Sequence, residues 1–297
     1  MNNPKYLLGP MRVPFLILTP ACVLLGLATA KWETGTVNIL YTILALIGAV
    51  SAHISVNAFN EYFDFKSGLD AHTQRTPFSG GSGTLQERPD LARQALHTAI
   101  IMFTITGLIG VYFLFVRGFA LLPLGLLGLM IILTYTPLLA YNPLSCLIAP
   151  GLGFGTLMVL GTHFVLTGHY SWTAFVASCV PFFLVSDLLL LNQFPDVDAD
   201  RRIGRKHFPI LIGRRASSVL YGLFLLFACL TIILGVAFGL LPNFSLIGLL
   251  ILAVAVPALL GAYRNADDIA NLIPSMGLNV IMNLVTPILV AVGLFIG

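Results

Sequence analysis

The stretch ILYTILALIGAVSAHISVNAFNEYFDFKSGLD, residues 39–70, opens on a long apolar run and closes on two Asn, one Glu and two Asp. About 20 apolar residues suffice to cross a bilayer as a helix. The stretch therefore reads as a membrane span whose exit is acidic. His53, Asn57, Asn60 and Asp64 follow one another at helical spacing, so they form a polar stripe on one face. Polar groups at this depth face a cavity or another helix rather than lipid. Asp70 lies about 240° around an ideal helix from Asp64, and joins it only if the helix breaks. Gly68 is the expected breaking point.

The rest of the chain agrees with a membrane setting. Of 297 residues, 58% are hydrophobic and 9% are charged, against about 25% charged in a soluble domain. Nine apolar runs are expected to span, at 13–31, 37–59, 94–116, 119–134, 145–167, 171–193, 217–239, 244–262 and 276–296. No stretch alternates long enough for a barrel strand. The expectation is an all-α polytopic membrane protein, with nine transmembrane helices in one bundle and a single domain over 1–297. No cleavable leader is apparent at its start.

Basic residues orient the bundle. With the N-terminus in the cytoplasm, thirteen of the fifteen Lys and Arg fall inside, and only Lys31 and Arg117 fall outside. The C-terminus is then outside, and Trp32 and Trp172 sit at outer span ends. The long charged loops, near 60–93 and 192–216, are both cytoplasmic, which places function on that face of the cell membrane. A net charge of +3 gives no reason to expect nucleic acid as a partner. Cys22, Cys146, Cys179 and Cys229 form no CxxC pair and read as small buried residues.

A second acidic segment, LNQFPDVDADRRIGRK, closes the sixth expected span. Asn192, Asp196 and Asp200 are spaced to stack on one helical face, while Asp198 points elsewhere, into solvent. Asn60 and Asn192 stand 132 residues apart, each followed four residues later by Asp. Carboxylates gathered at one membrane surface repel unless divalent cations lie between them. Oxygen ligands select a hard ion such as Mg2+, which also binds phosphate oxygens. Basic residues beside them would then hold a diphosphate.

At these residues the chain resembles the UbiA superfamily of intramembrane aromatic prenyltransferases. NEYFDFKSGLD and NQFPDVDADRRIG are similar to its two Asp-rich motifs. The five residues between Asp64 and Asp70 resemble the branch that prenylates 1,4-dihydroxy-2-naphthoate on the way to menaquinone. Arg12 in MRVPFLILTP matches an Arg opening the first helix, and Tyr135 in TYTP a Tyr of the fourth. The resemblance implies Mg2+-dependent transfer of a polyprenyl group from an isoprenyl diphosphate to an aromatic acceptor. It implies metal ligation by Asp64, Asp70, Asp196 and Asp200, with Asp64, Asp196 and Tyr135 catalytic. Asn60, Asn192, Arg12, Lys66, Arg75, Arg202 and Lys206 are the expected substrate-binding residues. The glycine-rich loop 75–86 is expected to act as a lid. Relatives commonly carry an acid where Cys146 stands, so a base for the acceptor would come from elsewhere, with Asp187 and His163 as candidates. The rival classes are a secondary transporter, whose charged site more often lies at mid-membrane, and a lipid-head-group phosphotransferase, whose usual motif is absent here.

Overall fold

The computed structural model describes residues 6, 8–69, 73 and 75–297. Helices account for all regular structure among the described residues. Eight are long and apolar enough to cross a membrane, and a shorter apolar helix runs over Phe119–Thr134.

After two 3-10 turns, α1 spans Leu18–Thr34 and α2 spans Ile39–Ser67. Asn38 caps α2 by accepting the Tyr41 N–H at 3.0 Å. Gly68 ends it at φ +76°, as the sequence leads one to expect. Asp70 lies outside the described residues. Then come α3 (Ala92–Arg117), α4 (Leu122–Thr134), α5 (Pro143–Gly151) and α6 (Met158–Thr167). A π-turn over Leu152–Leu157 joins the last two into one span. The chain continues as α7 (Trp172–Asn192), the short α8 (Val197–Arg202), α9 (Arg214–Ala237), α10 (Leu252–Arg264) and α11 (Ile269–Ile296).

Lipid is as apolar as a leucine core, so helices in a membrane associate through close packing and small residues. Gly151 and Gly155 show this. A Cβ on Gly151 would stand 2.1 Å from the Phe182 carbonyl oxygen, and one on Gly155 2.3 Å from the Phe182 nitrogen. Only glycine lets this span press on the backbone of α7. The main core joins α1, α7, α9 and α11 around Leu25, Leu184, Tyr221, Ile232 and Met276. Elsewhere α2 lies along α3, and these two helices with α4 form a looser wall. Large apolar side chains such as Ile43, Leu108, Phe115, Met130 and Leu250 are exposed, as a lipid-facing surface requires. A cavity remains between the tight core and the looser wall.

The second acidic segment departs from its expected form. Asn192, Asp196 and Asp200 do not stack on one continuous helix. α7 ends at Asn192, a turn through Gln193–Asp196 follows, and α8 starts at Val197. Pro195, with no N–H to donate, sits inside that turn.

Candidate active site

The cavity has a volume of about 580 Å³. One end is charged. Asn57, Asn60 and Asp64 reach it from α2, and His53 lines it one turn deeper, so the polar stripe does face inward. Across from them, the end of α7 and α8 supply Asn192, Asp196 and Asp200. Tyr135, Cys146 and Arg12 complete this end.

The two acidic segments meet through one guanidinium. Arg205 Nη1 donates to Asp200 Oδ1 at 2.9 Å, and Nη2 donates to Asp64. Its position depends on Gly204, which lies at φ +84° just past α8. That reversal returns the chain, and the Arg205 N–H bonds the Asp200 carbonyl at 3.0 Å. Asp200 is 3% exposed, and its second carboxylate oxygen lies 3.0 Å from His207 Nε2. Asp196 has no such partner. Burial pushes its carboxyl up to about 8, helped by Asp200 and Asp64 and opposed by Arg205 and Arg12. Burial works against the Arg205 charge, but Asp64 and Asp200 hold it above its usual range.

Asp196 Oδ1 and Asn192 Oδ1 are buried with no hydrogen-bond partner. Orphaned buried acceptors call for a cation or a proton donor. The donor set here is all oxygen: carboxylates on Asp64, Asp196 and Asp200, and the Asn192 amide. These residues fit a hard divalent ion such as Mg2+.

The opposite wall of the charged end is pinned by Glu61, a residue to which sequence reasoning gave no role. It is 2% exposed. Its Oε1 accepts from Arg12 Nε at 2.7 Å and from the Ser82 N–H at 2.7 Å, and its Oε2 accepts from the Ser82 hydroxyl. Arg12 Nη2 also donates to Asn60 Oδ1 at 2.8 Å, and Asn60 Nδ2 donates to Thr136 Oγ1 at 3.2 Å. Arg12 sits at φ +50°, an unusual conformation for a non-glycine residue. One carboxylate thus ties the N-terminal arm to the glycine loop. That loop closes part of the cavity mouth with Thr76, Phe78 and Gly81.

The other expected cations lie elsewhere. Lys66 is exposed, with its ammonium 5.9 Å from the Tyr62 ring centroid. Arg75 is exposed and packs on Gly83. Arg202 and Lys206 are exposed. None of the four lines the cavity, whereas Arg205 and His207 do. Asp198 is exposed, as expected. Neither Asp187 nor His163 lines the cavity. Asp187 is fully buried on α7, and His163, also fully buried, lies beside Glu33 at the C-terminal end of α1.

Past the charged end the cavity is apolar. It runs between α3, α4 and the π-turn past Phe154 and Leu157 to Phe113 and Leu121. Gly107, Gly110, Gly125 and Gly153 also line it, and a Cβ on any of these four would meet open space. A charged head over a long greasy channel suits an amphiphile with an anionic end and an extended hydrocarbon tail.

Comparisons with known proteins agree. The sequence model described as the UbiA prenyltransferase family matches residues 18–296. A 1,4-dihydroxy-2-naphthoate octaprenyltransferase of Bacillus subtilis (strain 168) is 31% identical over 201 residues, covering 67% of this chain and 63% of that protein. A UbiA prenyltransferase domain-containing protein 1 of Xenopus tropicalis is 27% identical over 210 residues, covering 68% of this chain and 58% of that protein. The aligned stretches span less than two thirds of the length of both relatives. Among solved structures, a UbiA homolog from Archaeoglobus fulgidus bound to DMAPP and Mg2+ superposes with a TM-score of 0.61 at 15% identity, covering 97% of this chain and 99% of that one. A structure described as digeranylgeranylglyceryl phosphate synthase superposes with a TM-score of 0.66 at 14% identity, covering 100% and 99%. Identities this low speak to the fold alone.

Proposed function

The chain belongs to the UbiA prenyltransferase family, and from that premise we propose that it transfers a polyprenyl group from an isoprenyl diphosphate to an aromatic acceptor inside the membrane. The observation that carries this reading is the cavity itself, in which a carboxylate from the end of α2 faces those of the turn and short helix that follow α7, at the head of an apolar channel. The acceptor we assign is 1,4-dihydroxy-2-naphthoate, supported by the name of the Bacillus subtilis relative. All nine apolar helices cross the bilayer in this reading, and the charged end faces the cytoplasm. The distribution of Lys and Arg supports that orientation.

Asp64, Asp196 and Asp200, with Asn192 beside them, would hold Mg2+, and Asp70 would join them. Bound there, the ion supplies Lewis-acid charge to the leaving diphosphate. Arg12 and Arg205 line the same end and would pair with diphosphate oxygens. Asn60 fixes the Arg12 fork, so that its charge points at the head of the channel. Apolar walls keep water from the allylic cation left when the diphosphate departs. The Tyr135 ring lies at the junction of head and channel, where an aromatic face stabilises such a cation by about 0.5–2 kcal/mol. The glycine loop, fastened to Glu61 through Ser82, serves as the lid over the head.

The test is direct. Purified protein in sealed proteoliposomes receives labelled geranylgeranyl diphosphate, Mg2+ and 1,4-dihydroxy-2-naphthoate. The expected result is prenylated naphthoate with release of diphosphate, lost on EDTA treatment and restored by Mg2+. Full turnover in metal-free buffer would sink the metal assignment, and uptake of the diphosphate without product would favour a transporter.

Channel length gives a second expectation. Gly110 is in the distal half of α3 and lines the apolar channel. Gly110→Phe fills that space and obstructs long tails. The kcat/KM ratio of a short over a long prenyl diphosphate should rise about tenfold or more, in line with what a filled apolar pocket can discriminate. An unchanged ratio would mean that the tail takes another path.

A further inference from the structure

At the opposite end of these helices lies a second set of ligating side chains that prenyl transfer does not use. Glu33 closes α1, His163 belongs to α6, and His169 follows the α6 terminus. Glu33 Oε2 lies 3.4 Å from His163 Nε2 and 3.4 Å from His169 Nε2. The three ligand atoms all fall within 4.8 Å of one another. Gly168, at φ +89°, turns the chain so that His169 returns toward His163, and the two rings meet edge to face at 5.7 Å. Thr167 holds that turn by accepting the His169 N–H at 3.3 Å and donating to the His169 carbonyl at 3.1 Å.

The surroundings of His163 bear on what this cluster could hold. Thr29 Oγ1 donates its proton to the Gly26 carbonyl at 2.8 Å. It also lies 3.0 Å from His163 Nδ1. That contact fixes the ring through Nδ1 and leaves Nε2 as the atom that faces the carboxylate. His163 is 0% exposed, and Nε2 is buried with no hydrogen-bond partner. It faces the Glu33 carboxylate. A buried ring nitrogen without a hydrogen-bond partner, aimed at a carboxylate, is a position for a cation or a proton. The remaining carboxylate oxygen is already fixed by the Ser171 hydroxyl, and the His163 ring is fixed by Thr29. The ligands are thus oriented by outer partners, as in built metal sites.

We propose that Glu33, His163 and His169 bind a zinc-type divalent cation that staples α1, α6 and the turn after α6 at the end of the bundle remote from the carboxylate cavity. Bonds of about 2.0–2.1 Å in a tetrahedral site place ligand atoms roughly 3.3 Å apart, which matches both contacts to Glu33. Two imidazoles and one carboxylate select zinc-class ions over Mg2+. Glu33 and His169 are partly open to solvent, which gives the ion a way in and leaves a fourth position for water.

The experiment uses the full chain in detergent, with any affinity tag removed, stripped with chelator and kept in millimolar Mg2+ so that the carboxylate cavity is saturated. Calorimetric titration with Zn2+ should show one saturable site. His169→Ala and Glu33→Gln should each weaken it at least about 30-fold, since each removes one of three protein ligands. Zn2+ should raise the thermal midpoint of the parent and not of His169→Ala. Co2+ added to the parent should give the visible bands of a four-coordinate ion, which keeps the test valid if a variant folds poorly. No saturable Zn2+ binding, binding unchanged in both variants, or a six-coordinate Co2+ spectrum would each overturn the proposal.

Discussion

Asp64→Asn and Asp196→Asn each lower turnover at least about 100-fold, while Asp198→Asn stays within about threefold. Each of the first two removes a charge from the oxygen set that would hold the ion activating the leaving group. Asp64 and Asp196 both line the cavity head. Asp198 points to solvent, 3.8 Å from Arg201 and from Arg214, and exposed pairs of that kind contribute little. The measurement is steady-state prenyl transfer at saturating Mg2+, with a Mg2+ titration for each variant. The two damaging variants should also need more Mg2+ for half-maximal rate. Equal losses in all three variants would refute the inward and outward sorting of these carboxylates.

Glu61→Ala raises the KM for the prenyl diphosphate about tenfold or more and lowers the thermal midpoint, with a smaller change in kcat. The alanine leaves Arg12 without its carboxylate and frees Ser82, so the N-terminal arm and the glycine loop come loose together. Removing one partner of a buried pair costs about 3–5 kcal/mol. Arg12 is 23% exposed, which reduces the expected loss to about 2–3 kcal/mol by the same reasoning. Glu61 touches no reacting atom in this reading and acts by positioning Arg12. Glu61→Gln keeps the side-chain length and one acceptor, so it should restore part of the affinity. A kcat loss with unchanged KM would place Glu61 in the chemistry instead, and no change in either would show that the arm and loop hold without it.

Several features follow from sequence because their causes are local. Apolar runs longer than the bilayer core make spans wherever they occur, which gives the all-helical bundle and the acidic ends of α2 and α7. Helical spacing turns His53, Asn57, Asn60 and Asp64 inward together, and Gly68 stops α2 at the expected point. The same spacing correctly puts Asp198 in solvent. It misjudges how Asn192, Asp196 and Asp200 come together, because Pro195 breaks the helix that the spacing assumes.

Which of the basic residues after the second acidic segment reaches the cavity was decided by tertiary structure. Arg201, Arg202, Arg205 and Lys206 are close neighbours in sequence, yet only Arg205 reaches the cavity. The reversal at Gly204 selects it, and a run of four basic residues does not encode which one the turn will face inward. Glu61 escaped notice for a related reason. Its partners are Arg12, 49 residues away, and Ser82, 21 residues away, and they meet only when the arm and loop close over α2. The same holds for Glu33 with His163 and His169. Helical packing brings α1 against α6, and no spacing along the chain announces that contact. Periodicity fixes which face of a helix is polar, whereas the partner across that face depends on how the helices are threaded and packed.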